Sequence, residues 1–297
     1  MLKRIFHYFK SRPGFTLLLL LLGLITFISL NPDLYLLGWD NYSSYFNLKT
    51  NIFRTFFATW RQYRGLGVPS DSESTDIFRQ LFFFILSPFV KTQLLDQIYI
   101  LFALNCGIIS IYFLARTLMK NIYHQQFIQD VIGSISALCF LFNLNTLATF
   151  YFPMIMFVNR FYSIPFILLF LTKITEKGKH ANIKDYFLLS VVVIITSGSY
   201  MTATVFISFL LVLVLFLLFQ GNGIVHRLAL FTFLIGLSSF WIFPFANYTI
   251  QKSNIVYDAP TFIEANEIQL NKPASFYSLE KQLIMYPSFF ETPISNV

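Results

Sequence analysis

The sequence predicts an all-α polytopic membrane protein with about seven transmembrane helices, and three observations predict it. First, 56% of the residues are hydrophobic and only 12% charged, where soluble domains carry about 25%. Phenylalanine alone fills 38 of 297 positions, more apolar surface than a soluble globule can hide. Second, the apolar residues fall in runs of membrane-spanning length, and the mean hydropathy is +0.64. Third, the short segments between alternate runs are basic. Together these exclude a cytosolic enzyme, a disordered chain and a secreted disulfide scaffold. The net charge of +7, from 21 Lys and Arg against 14 Asp and Glu, is read as membrane topology before any affinity for nucleic acid.

The first run, residues 15–31, follows a basic N-terminal segment and resembles a signal peptide in outline. Ser29-Leu30-Asn31-Pro32 lacks the small residues of a cleavage site, so the run is read as an uncleaved span with its N-terminus inside. Residues 98–117 form a second span. Residues 131–152 form a third, with Asn143 and Asn145 near its outer end, and residues 154–172 a fourth that carries Pro165. The apolar run 186–219 would rise about 51 Å as one helix, against about 30 Å of hydrocarbon. Thr196-Ser197-Gly198-Ser199-Tyr200 therefore splits it into a short fifth span ending near 197 and a sixth over 202–219. Residues 228–246 form the seventh.

Charge agrees with this threading. The inner segments 1–14, 116–130, 173–185 and 220–227 hold eleven Lys and Arg against three acids, and the outer segments 32–97 and 247–297 hold nine against eleven. Basic inner loops are what the positive-inside rule requires. Residues 1–246 are thus expected to be the membrane domain. The polar residues 247–297 are expected to start an outer segment of a truncated chain or a fragment. Cys106 and Cys139 lie inside apolar runs, and His7, His124, His180 and His226 lie in inner segments without metal-ligand spacing.

The segment 32–97 is long for a loop between adjacent spans, at about 66 residues. Taken as a helix at about 100° per residue with Ile52 at zero, residues 45–64 place Tyr45, Phe56, Phe57, Trp60 and Tyr63 between about 20° and 140°. Arg54 and Arg61 fall on the opposite side and Arg64 on the flank. This is the pattern of a helix lying in the membrane interface. It stops at Gly65-Leu66-Gly67-Val68-Pro69, and a second apolar helix over about 76–89 stops at Pro88. Earlier in the loop stands Gly38-Trp39-Asp40-Asn41. An ionisable carboxylate at that depth is a candidate for function; an N-cap for a helix starting near Tyr42 is an equally good local account. Asp71, Glu73 and Asp76 form an acidic Ser-rich turn, whose ordinary reading is a solvated one.

An inward-to-outward first span, then a large outer loop with an early Asp and juxtamembrane amphipathic helices, resembles the GT-C glycosyltransferases. The strings Gly38-Trp39-Asp40-Asn41, Trp60-Arg61 and Gly65-Leu66-Gly67 resemble the N-terminal part of bacterial α-(1→3)-arabinofuranosyltransferase-like membrane proteins, over residues 15–246. The resemblance implies a GT-C-like helix arrangement in a bacterial plasma membrane, with the active loop outside. It implies a polyprenyl-phosphate sugar donor and a glycan or lipid-linked acceptor, with no nucleic-acid partner. Asp40 would be the catalytic base that takes the acceptor's proton. Arg54, Arg61 and Arg64 would hold the donor phosphate through charged, two-pronged contacts, with Arg79 and Arg160 behind them. Trp39 and Trp60 would touch the sugar or the lipid. The cofactor is left unknown. A divalent metal is possible chemistry for outer-loop acids, yet the outer loop near 151–158 offers no second carboxylate. A transporter or flippase for lipid-linked glycans, and a non-catalytic scaffold, remain the alternatives.

Overall fold

A computed structural model describes residues 11–33, 47–57, 60–61, 68–69, 73–151, 153–199, 203–219 and 223–257. They are overwhelmingly helical. Helix α1 spans Pro13–Ser29, α2 Leu48–Phe57, α3 Ile77–Leu86, α4 Thr92–Met119, α5 Gln126–Leu141, α6 Leu144–Tyr151, α7 Ile155–Lys177, α8 Ile183–Ile195, α9 Ala203–Phe219 and α10 Ile224–Tyr257. Three stretches are long and apolar enough to cross a membrane: α4, α7 and Ile224–Pro244 of α10. Among the described residues the bent pair α5–α6 makes a fourth only if its two pieces count as one span, while α1 and α9 are shorter apolar helices. Membrane exposure also shows in the side chains. Leu20 is 67% exposed and Phe27 80%, on a helix with no charged residue past its first turn. Such a surface is tolerated in lipid and not in water.

Helices α4 and α7 form the centre, and they meet closely because Gly107 of α4 has no side chain. A Cβ there would overlap the Phe161 ring. Leu101, Leu104 and Ile108 of α4 join Phe15, Leu18 and Leu22 of α1, Ala137 and Leu141 of α5, and Phe161 in one apolar cluster. Helices α1 and α4 run antiparallel. Phe15 stacks on Tyr112 at 4.6 Å at one end, and the backbone of Asn31 bonds Gln97 at the other. Helices α7 and α8 form a hairpin around Gly178, whose φ of 52° suits glycine. The second core lies among α7, α8, α9 and α10 and includes Ile167, Leu171, Leu213 and Trp241.

Several helix ends have identifiable causes. Helix α8 starts in a reciprocal capping box: Asp185 N–H donates to Asn182 Oδ1 and Asn182 N–H to Asp185 Oδ2, each at 3.1 Å. Lys177 Nζ at 2.6 Å adds to this, and the carboxyl of Asp185 is held below its usual range by the Lys177 and Asn182 hydrogen bonds. Helix α1 has no capping side chain of its own. Its first amides, Gly14 N–H and Phe15 N–H, donate instead to the two oxygens of Asp130, at 2.8 and 3.2 Å. Asp130 is 0% exposed and also accepts from Tyr112 Oη at 2.5 Å.

Two sequence expectations need correction. The third span is not straight: α5 and α6 bend by 52° at Phe142-Asn143. The Asn143 side chain accepts from Thr146 N–H at 2.7 Å and donates to Phe140 C=O at 2.9 Å, so it ends one helix and starts the next. The helix expected over 45–64 stops at Phe57. Trp60-Arg61 instead pairs antiparallel with Val68-Pro69, as β-prone Thr, Trp and Tyr flanking a Gly-rich turn favour. Helix α10 continues past 246 to Tyr257, while its membrane-length apolar stretch ends at Pro244, near the end expected for the seventh span. The split near Ser197 is as expected, although α8 already ends at Ile195 and a 3-10 turn occupies Ser197–Ser199.

Candidate functional site

The strongest concentration of buried polar groups lies where the first long loop packs on the ends of α4 and α7. Its parts come from four pieces of chain. The 3-10 turn Glu73–Asp76 leads into α3, whose Phe82 and Phe83 meet Tyr99 of α4 edge-on at 5.3 and 5.7 Å. This docking sets the polar face of α3 against α4.

On that face Asp76 does not cap its helix. Its carboxylate takes Arg79 Nε at 2.9 Å, Arg79 Nη2 at 2.6 Å and Gln80 Nε2 at 2.7 Å. The guanidinium lies over the Phe83 ring, 5.8 Å from its centroid. Burial opposes the charge of Arg79, but the two-oxygen contact with Asp76 outweighs it and holds the guanidinium above its ordinary value. A pair like this locks a geometry more than it stabilises a fold, because both ions lose water. The acidic turn read as solvated thus holds, at Asp76, half of a partly buried ion pair.

Asp96 of α4 sits within electrostatic reach of both Asp76 and Arg79 and is 7% exposed. Its Oδ1 is buried and accepts no hydrogen bond from any described residue, and the same holds for Oε1 of Gln80, which is 3% exposed. One cation against two carboxylates leaves this cluster one formal negative charge in excess, with two oxygens awaiting donors.

Beside it, Tyr99 Oη donates to Asn159 Oδ1 at 2.6 Å and lies 3.5 Å from Tyr162 Oη. The break between α8 and α9 packs on the same place. Ser197 Oγ donates to Thr75 C=O at 3.0 Å, and a Cβ on Gly198 would come within 3.2 Å of both Asn159 Nδ2 and Thr75 O. Arg160 follows Asn159 on α7 and is half-buried. Chemically, the arrangement offers charged and amide acceptors in an aromatic surround, coupled through Thr75 to a helix break.

Of the residues predicted from sequence, Arg79 lies in this cluster and Arg160 stands next to Asn159 on α7. Trp39, Asp40 and Arg64 lie outside the described residues. Arg54 is half-buried on α2, which packs on α3, while its neighbours Phe53, Phe56 and Phe57 are exposed as an interfacial face requires. Trp60 and Arg61 are described only as backbone in the short strand pair. Among the described residues no three His, Cys, Asp or Glu side chains are grouped to hold a metal. Sequence reasoning missed Gln80, Asp96, Tyr99 and Asn159. An acid two residues before an apolar run, as Asp96 stands, was the available signal. No family model, no curated protein and no solved structure matches this chain.

Proposed function

We propose that the chain is a membrane glycosyltransferase of the GT-C type. It transfers a sugar from a polyprenyl-phosphate-linked donor to a glycan or lipid-linked acceptor at the outer face of a bacterial plasma membrane. The observation that carries the reading is that the first long loop is built into the bundle: its turn and α3 bring Asp76, Arg79 and Gln80 against Asp96 of α4. A loop serving only as a linker has no need to bury charge. The aromatic face of α2, exposed beside this cluster, supplies the interfacial surface that a lipid-linked donor requires.

In this reading seven spans thread the bilayer, with the N-terminus cytoplasmic. Asp40 acts as general base on the acceptor hydroxyl, a role worth typically 10²–10⁴-fold in rate. Arg54, Arg61 and Arg64 neutralise the phosphate of the departing lipid, and Trp39 and Trp60 contact sugar or lipid. The test is transfer of radiolabelled sugar from a panel of polyprenyl-phosphate sugars in proteoliposomes. Wild type is compared with Asp40→Asn. Donor-dependent transfer that disappears in a correctly inserted Asp40→Asn protein is the expected result. Full transfer in that variant overturns the role of Asp40, and no transfer from any donor overturns the enzyme reading.

A transporter or flippase for lipid-linked glycans is the second reading, favoured by one observation. Broken helices that meet polar groups are a feature of transport sites, and the break at Ser197–Ser199 packs directly on Thr75 and Asn159. Movement of a labelled lipid-linked glycan across the bilayer without sugar transfer would favour it.

A further inference from the structure

We infer that the end of the bundle where α1 begins, α4 ends and α5 begins binds the phosphate of an anionic phospholipid, with Arg116 as its main contact. The inference goes beyond the glycosyltransferase reading and does not depend on it.

Charge is unbalanced here. The sequence segments 1–14 and 116–130 carry six Lys and Arg against one acid, Asp130. That acid is already spent. It is fully buried, and its oxygens accept from Gly14 N–H, Phe15 N–H and Tyr112 Oη. Arg12 and Arg116 both lie within electrostatic reach of the Tyr112 hydroxyl. Among the described residues no carboxylate forms an ion pair with Arg116. Its hydrogen bond runs from Nη1 to Tyr112 Oη at 3.4 Å.

Arg116 is held in place on packed helices. Its stem crosses α5 at Gly133, where a Cβ would come within 2.8 Å of Arg116 Cγ. Its guanidinium lies over the Tyr112 ring, 5.6 Å from the centroid. Tyr112 is itself fixed by Asp130 and by Phe15, which stacks on it at 4.6 Å. The turn after α4 is pinned by Gln129 Nε2, which donates to Tyr123 C=O at 2.6 Å. Arg116 Nε is buried, so the N–H groups left for a ligand are those of the two Nη atoms.

The surroundings select the ligand. A phosphodiester presents two unbridged oxygens that match a guanidinium, and it brings the missing negative charge. Near the cations α1 exposes Leu17 and Leu20, and α5 exposes Phe127, Val131 and Ile135 at successive turns. That surface suits acyl chains and offers nothing to a free, hydrated phosphate. A choline headgroup would carry its own cation towards Arg12 and Arg116, so a lipid of net negative charge is preferred.

The test uses the full chain in detergent micelles, with phosphatidylglycerol, phosphatidylcholine and inorganic phosphate as probes. Native mass spectrometry reads bound lipid, and thermal unfolding midpoints read its effect on stability. Wild type is expected to bind phosphatidylglycerol saturably and about five-fold or more tighter than phosphatidylcholine. Arg116→Gln lowers phosphatidylglycerol affinity about five-fold, while Lys173→Gln, which removes the same charge from α7, leaves it unchanged. Arg116→Lys keeps the charge, loses the fork and binds about two-fold weaker or less well still. It decides alone if Arg116→Gln does not insert. Phosphatidylglycerol raises the wild-type midpoint and not that of Arg116→Gln. A side chain that only braced the fold would lower the midpoint and keep the increment. The inference is overturned by that pattern, by equal affinity for the two lipids, or by an equal loss in Lys173→Gln. Wild-type affinity in either Arg116 variant overturns it too, as does displacement of the lipid by inorganic phosphate.

Discussion

Removing the carboxylate of Asp130 tests how the N-terminus of α1 is held. Gly14 N–H, Phe15 N–H and Tyr112 Oη all donate to it, across 116, 115 and 18 residues of chain. Hydrogen bonds to a charged group are worth about 1.5–3 kcal/mol each, and a carboxylate at a helix N-terminus adds about 0.3–2 kcal/mol from the dipole. Water can reach the part-buried Gly14 amide, and the three bonds share one acceptor, so the terms do not add. A net loss of about 3–5 kcal/mol is expected for Asp130→Ala, the range for breaking a buried charged network. Tyr112→Phe removes one donor and keeps the cap, at about 1–2 kcal/mol. Denaturant unfolding of the full chain in micelles reads both. In the double variant the Tyr112→Phe cost should nearly vanish, because its acceptor is already gone. Additive losses, or an Asp130→Ala cost under about 1 kcal/mol, would refute the view that Asp130 caps α1.

The other predictions concern single contacts. Arg79→Ala strands Asp76 beside a buried Asp96 and should destabilise by about 3–5 kcal/mol, with Arg79→Lys a poor rescue because one ammonium cannot span both oxygens. Unfolding midpoints of the two variants check this. Gly198→Ala places a methyl 3.2 Å from Asn159 Nδ2 and Thr75 O and should cost about 1–3 kcal/mol, read by the same unfolding experiment. Gly107→Ala should cost more, since its methyl overlaps the Phe161 ring between the two central helices. For Asp185 the folded carboxyl titrates below its unfolded value of about 3.9, so its stabilisation is full above that pH and is lost as pH falls through the folded value. The melting difference between wild type and Asp185→Asn should therefore be constant at neutral pH and shrink below about pH 4.

How much of this was legible follows from what each feature depends on. The long apolar runs of α4 and α7 and the split near Ser197 depend on local composition, and they were readable. The bend at Asn143 was less so, because an Asn inside an apolar run is compatible with a straight helix until its side chain takes Thr146 N–H. The helix over 45–64 was overextended because the hydrophobic period persists through Trp60, while the backbone there pairs Trp60-Arg61 with Val68-Pro69. The site was the hardest. Asp76 looked solvated because its partner in burial, α4, begins sixteen residues later. Asp96 looked like loop because it precedes the apolar run. Asp130 looked like one more inner-loop acid, and nothing local says that it caps a helix more than a hundred residues before it.

The contact between Asn31 and Gln97 has a wider consequence. Gln97 Oε1 accepts Asn31 N–H at 2.8 Å, and its Nε2 donates to Asn31 C=O at 2.7 Å, so one side-chain amide imitates a paired peptide unit. This staple joins the exit of α1 to the entrance of α4, and the chain leaves and returns at a single point. Everything between is then an insert with a fixed footprint. Its length can change at a closure cost that grows only logarithmically. The staple thus sets the register of α1 and α4 at this end, independently of the docking of α3 on α4 and of Thr75 on the α8–α9 break.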